Sequence, residues 1–79
     1  MQIVYIYDLK AKNKKKFNRL KRLFYYHINN LNLKKEFWLT KSTLVVETNQ
    51  EKSIDLFFQR FKKDVLVYKI YSESIEQLI

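Results

Sequence analysis

Apolar positions fall into two kinds of pattern along this chain: short unbroken runs and stripes repeating every three or four residues. Ile3-Val4-Tyr5-Ile6-Tyr7 is a β-branched and aromatic run stopped by Asp8. It predicts a strand buried on both faces, in the middle of a sheet. From Lys14 to Leu31, Phe17, Leu20, Phe24, Ile28 and Leu31 recur at helical spacing, with Arg19, Lys21 and Arg22 placed largely elsewhere around the axis. That predicts an amphipathic helix with a basic outer face and Asn13 as its N-cap. Glu36 to Thr40 and Thr43 to Thr48 are β-prone runs separated by Lys41-Ser42, the spacing of a hairpin.

Thr48-Asn49-Gln50-Glu51 has the form of a capping box, and Ile54, Phe57, Phe58 and Phe61 continue it as one apolar stripe, giving a second helix to about Lys63. Val65 to Tyr71 is again β-branched and aromatic, with a short tail from Ser72 to Ile79. The resulting order is strand, helix, strand, strand, helix, strand. We therefore expect one α+β domain over residues 1–79, of the ferredoxin-like βαββαβ type: a four-stranded antiparallel sheet with both helices on one face and a short C-terminal extension. The other face is left for a partner or ligand, with Tyr5, Tyr7, Trp38 and Tyr68 as candidates to cover it.

Composition sharpens this picture. A chain of 79 residues has a core of marginal size, which a dimer interface would supplement. With no cysteine and no glycine, disulfides, thiolate metal sites and glycine-rich phosphate loops are excluded. Covalent catalysis by a Ser/His/Asp or Cys/His set has no support either. His27 is the only histidine, beside the first helix's apolar stripe and without a second ligand at i+4; packing or a surface hydrogen bond is its expected role. The apolar runs are too short for a membrane span and no signal core opens the chain, so a cytoplasmic protein without membrane contact is expected.

Charge carries the functional signal. Of a net +8, the whole excess lies in the first half: residues 1–40 hold ten Lys/Arg against Asp8 and Glu36, whereas residues 41–79 hold six of each sign. A segregated surplus attracts polyanions, while mixed charge mainly aids solubility. Lys10, Lys12, Lys14, Lys15 and Lys16 follow the first strand directly, three of them in the first helical turn, where they oppose the helix dipole. Phosphate contacts would explain that placement. Arg19 and Arg22 extend the track along the helix, and Lys34, Lys35 and Lys41 extend it around the hairpin. Trp38, Tyr25 and Tyr26 are able to stack on bases, although core or interface packing is the plainer assignment.

Asp8 is the main candidate for chemistry. A carboxylate at the tip of a central strand is held rigidly, and Mg²⁺ takes one or two carboxylates together with water and substrate phosphates. Twofold symmetry would supply a second Asp8. The plainer alternative is an Asp that accepts backbone N–H bonds in the following loop.

Four segments together resemble the small dimeric adaptation protein family of CRISPR systems, second in the usual naming. They are Met1-Gln2-Ile3-Val4-Tyr5-Ile6-Tyr7-Asp8-Leu9, the basic first helix, Lys41-Ser42-Thr43-Leu44-Val45-Val46-Glu47, and Asp64-Val65-Leu66-Val67-Tyr68-Lys69-Ile70-Tyr71. The resemblance implies that Asp8 is the family's strand-end aspartate and that Lys10, Lys12 and Lys14 correspond loosely to residues touching the DNA backbone. It also implies a homodimer bridging CRISPR integrase subunits on double-stranded DNA. The segment 72–79 would pack across to the other subunit or onto the integrase through Ile75, Leu78 and Ile79. Some members of that family are described as metal-dependent nucleases, so catalysis by paired Asp8 residues with Mg²⁺ is a secondary expectation, below a scaffold role. Two alternatives stand beside it: a Mg²⁺-dependent endoribonuclease of the related toxin type, and a generic basic nucleic-acid-binding module of the same fold.

Overall fold

The computed structural model describes all residues from Met1 to Ile79. Strand β1 (Gln2–Leu9) leads to helix α1 (Lys14–Asn29), then β2 (Trp38–Thr40), β3 (Thr43–Glu47), helix α2 (Glu51–Arg60) and β4 (Val65–Ser72). The strands form one antiparallel sheet in the order β2-β3-β1-β4, which is the expected ferredoxin-like arrangement. β1 is central, with Val4 opposite Val45 on one side and Ile70 on the other.

Each helix forms where the sequence supplies both a start and a stripe. Asn13 caps α1, its Oδ1 accepting the Lys16 amide at 2.9 Å, and Leu20, Phe24 and Ile28 are buried. The helix stops at Asn29, earlier than the apolar stripe suggests. Leu31 lies in the loop after it, where Asn32 adopts φ 55°. Asn tolerates this left-handed turn better than most side chains, and the chain offers no glycine for it. Before α2, the start signal falls one residue earlier than the Thr48 motif: the Glu47 amide donates to Gln50 Oε1 at 3.2 Å, across a 3-10 turn at Thr48–Gln50. A second 3-10 turn, Lys35–Phe37, takes up residues read from sequence as the start of β2.

Both helices pack on the same face of the sheet. Ile3, Tyr5 and Tyr7 from β1 and Leu44 and Val46 from β3 meet Leu20, Phe24, Ile28, Ile54, Phe57, Phe58 and Phe61 in one core. Phe24 is its centre, with rings of Tyr7, Phe57 and Phe61 at 5.1, 5.2 and 5.3 Å. Tyr5, Tyr7 and Trp38 therefore belong to the helix-covered side, and of the four aromatics expected on the uncovered face only Tyr68 points there. Strand alternation gives the reason, because odd positions of β1 face the helices and even ones do not. For the same reason β1 is not buried on both faces throughout: Ile6, next to Tyr68, is exposed. No helix is long and apolar enough to cross a membrane.

On β4 the helix-facing side changes character along its length. Val65 and Val67 join the core, but Lys69 and Tyr71 continue the same side as polar groups. They meet α2 through a clamp: Lys69 Nζ lies 2.8 Å from Glu51 and 2.9 Å from Asp55, the Tyr5 hydroxyl donates to Asp55 Oδ1 at 2.6 Å, and the Tyr71 hydroxyl donates to Glu51. Hydrogen bonds from Lys69 and Tyr71 hold the Glu51 carboxyl below its usual range. The same clamp raises Lys69, chiefly through its bond to Glu51, and burial together with Asp55 raises Tyr5.

Linkage gives the sign of the pH dependence. The lowered Glu51 contributes stability above its unfolded pKa of about 4.3 that is lost as pH falls through the folded value. The raised Tyr5 and Lys69 contribute stability that is full below about pH 10 and lost as pH rises further. Thermal melts are therefore expected to show a plateau between roughly pH 5 and 9 with a falling limb on each side. Lys69→Met should shallow both limbs, and an unchanged pH profile in that variant would show that the clamp contributes nothing.

Candidate nucleic-acid interface

The antiparallel topology decides which charges meet. β1 ends where β3 and β4 begin, since Leu9 pairs with Val65 and Ile6 with Thr43. The β1–α1 loop, the β2–β3 turn and the α2–β4 turn therefore crowd one end of the sheet. They are tied there by the backbone: the Lys10 amide donates to the Asp64 carbonyl at 2.6 Å, and the Tyr7 amide to the Ser42 carbonyl at 3.1 Å. Buried Tyr7 adds a side-chain tie, its hydroxyl donating to the Lys41 carbonyl at 2.9 Å. Its pKa is raised by burial and by the neighbouring Tyr25 hydroxyl, so it stays a neutral donor.

This end is a basic pole. Lys10, Lys12, Lys14, Lys15 and Lys16 come from the first loop and the start of α1, Lys41 from the β2–β3 turn, and Lys62 and Lys63 from the α2–β4 turn, against Asp8 and Asp64. A groove of about 620 Å³ runs between the α1 start and the α2–β4 turn, lined by Lys10, Lys12, Lys16, Arg19 and Lys63, by the single acid Asp64, and by Leu20 and Leu23. A second shallow concavity, lined by Asn13, Lys15, Lys16, Arg19 and Arg22, continues it over the outside of α1. The expected binding residues are thus brought together: Lys10, Lys12, Lys16 and Arg19 in the groove, and Lys15 and Arg22 over its rim. Lys14 stands in the same first helical turn.

Three lysines from the charge-balanced half join this end, Lys63 in the groove and Lys41 and Lys62 in the neighbouring turns. The sequence signal for Lys63 was its place two residues before the fourth strand, whose start antiparallel pairing with β1 sets beside the Lys10 loop. Lys34 and Lys35, by contrast, sit at the other end. The 3-10 turn at Lys35–Phe37 precedes β2 and borders Gln2 and Glu47, so the two ends of the hairpin carry their lysines to opposite poles. That opposite end also gathers Glu36, Glu47, Glu51 and the tail residues Glu73 and Glu76. The molecule is electrically polar along its strands.

Asp8 lies on the uncovered side at the pole, with its side chain 67% exposed and paired with Lys10 Nζ at 2.9 Å. An exposed pair of this kind contributes little to stability. Within one chain Mg²⁺ would find a single carboxylate already facing an ammonium group, and no cluster of three or more His, Cys, Asp or Glu stands near it. A second carboxylate at this site would have to come from Asp8 of another copy. Lys69, Glu51 and Asp55, the other close grouping of charges, are consumed by the α2–β4 clamp.

The uncovered sheet face exposes Ile6, Leu39, Leu66, Tyr68 and Ile70. Of the tail, Ile75 lines a shallow concavity together with Leu39 and Val45, while Leu78 and Ile79 project fully into solvent. Comparisons of the chain with protein-family models, with curated proteins and with solved structures gave no match.

Proposed function

We propose that the protein binds the phosphate backbone of nucleic acid through its basic pole and works as a homodimeric adaptor on duplex DNA. The observation that carries the binding is the convergence of basic residues from two separate segments on one groove: Lys10, Lys12, Lys16 and Arg19 from the β1–α1 loop and the start of α1, and Lys63 from the α2–β4 turn. Ammonium groups held in a groove between two helix ends contact phosphates and fix register without reading bases. Dimerisation through the uncovered sheet face would bury Ile6, Leu66, Tyr68 and Ile70, which a monomer leaves in water. The resemblance in sequence to the CRISPR adaptation family supports the finer reading: a dimer that bridges integrase subunits during spacer acquisition, with Ile75, Leu78 and Ile79 as contacts to the second subunit or the integrase.

Asp8 separates this reading from a Mg²⁺-dependent endonuclease or endoribonuclease. In the adaptor, Asp8 is a negative charge at a phosphate-binding pole that also occupies Lys10. Asp8→Ala is therefore expected to bind a short DNA duplex equally or about two- to threefold more tightly, in Mg²⁺ and in EDTA alike. The check is fluorescence anisotropy across a salt series in both buffers. Binding that collapses in the variant, and in wild type on adding EDTA, would replace the adaptor with a metal-bridged complex and put catalysis first.

A further inference from the structure

On the flank of α1 that faces the hairpin, opposite the basic groove, lies an open cleft of about 590 Å³ between Tyr25 and Trp38. Both rings are half-buried, anchored from behind by the core: Trp38 meets Tyr7 edge-on at 6.2 Å, and Tyr25 meets Phe24 edge-on at 5.3 Å. The Tyr25 hydroxyl lies 3.4 Å from that of Tyr7 and 3.5 Å from the Lys41 carbonyl. These rings are held in place, yet their cleft is open to solvent. Lys21 and Lys41 stand at its edges with no carboxylate in the lining, and Asn29 contributes an amide. Aromatic walls, flanking cations and one amide suit a π-faced, anionic ligand, and the volume falls in the roughly 300–1,000 Å³ range of ligand clefts.

We infer that the Tyr25–Trp38 cleft holds one unpaired base of a nucleic-acid strand, stacked on the aromatic walls with its phosphates on Lys21 and Lys41. The inference rests on the nucleic-acid reading above and adds to it a subsite for single-stranded nucleotides. Lys41 connects the two surfaces, since it lies both at the basic pole and on the rim of the cleft. A strand leaving a duplex bound at the pole would reach the cleft over the β2–β3 turn. Base–aromatic stacking tolerates any base, so the subsite selects unpaired over paired nucleotides rather than a sequence.

Trp38 is the only tryptophan, so its fluorescence reports on the cleft alone. The test compares an end-labelled thymidine decamer with an abasic strand of the same length and charge, by anisotropy and by Trp38 emission. The thymidine strand is expected to bind roughly tenfold more tightly and to quench Trp38, while the abasic strand binds without quenching. Tyr25→Ala should narrow that gap to within about twofold, whereas Tyr26→Ala, on the outer surface of α1, should leave it intact. Equal binding of the two strands without quenching would overturn the subsite and leave backbone binding standing. Absence of salt-dependent binding by either strand would remove both together. The wild-type comparison decides the matter even if Tyr25→Ala fails to fold.

Discussion

Reversing three lysines at the basic pole, Lys12→Glu, Lys16→Glu and Lys63→Glu, is expected to weaken duplex-DNA binding on the order of a hundredfold at about 0.1 M salt. The same change at the other end, Lys34→Glu, Lys35→Glu and Lys52→Glu, should alter it less than about threefold. Each Lys→Glu change removes two charges, so both triple variants fall from +8 to +2 and any effect of net charge cancels between them. What differs is position: the first three share one groove or its rim, the second three lie where β1 begins. Each phosphate neutralised contributes about −0.9 to the slope of log K against log salt for duplex DNA, so the pole variant should also flatten that slope by nearly three. Equal losses in the two variants would mean that the protein attracts DNA by overall charge and that the groove is only a solvated surface.

Phe24→Ala is the substitution expected to cost the fold most. The ring is completely buried and touches the rings of Tyr7, Tyr25, Phe57, Phe58 and Phe61. It joins α1, α2 and the central strand. Truncating such a side chain removes its transfer free energy and leaves a cavity, together about 3–5 kcal/mol. Proteins of this length have total stabilities of about 4–12 kcal/mol, so the variant should be partly unfolded at room temperature or nearly so. Urea unfolding followed by far-UV circular dichroism measures it, with Phe24→Leu expected to recover most of the loss. A cost below about 1 kcal/mol would show that α1 is not docked on the sheet through this ring.

The consequences for function run through the same contacts. The core that Phe24 centres fixes where α1 begins, and with it the spacing of Lys12, Lys16 and Arg19 across the groove from Lys63. Tyr7 does the same for the β2–β3 turn, because its hydroxyl holds the Lys41 carbonyl. Packing fixes the backbone from which each cation projects, so only the exposed side chains themselves remain to be ordered on binding.

By itself the sequence determined the elements and their order, because the helical and strand periodicities, the Asn13 cap and the turn at Lys41-Ser42 are local properties of neighbouring residues. It also determined that residues 10–22 form the densest basic segment and that Asp8 ends the first strand. Only the tertiary structure decided which side of the sheet each strand residue faces, placing Tyr5, Tyr7 and Trp38 under the helices, since a shift of one position in register exchanges the two faces. It likewise decided the charge map. Pairing β1 with β4 and β3 brings Lys63 and Lys41 to the Lys10 loop and sends Lys34 and Lys35 away, although Lys35 is much nearer to Lys41 in sequence than Lys10 is. The clamp of Lys69 on Glu51 and Asp55, and the seating of Trp38 opposite Tyr25, arise in the same way. Each joins residues from separate elements, and no local pattern records a contact that exists only after the sheet has closed.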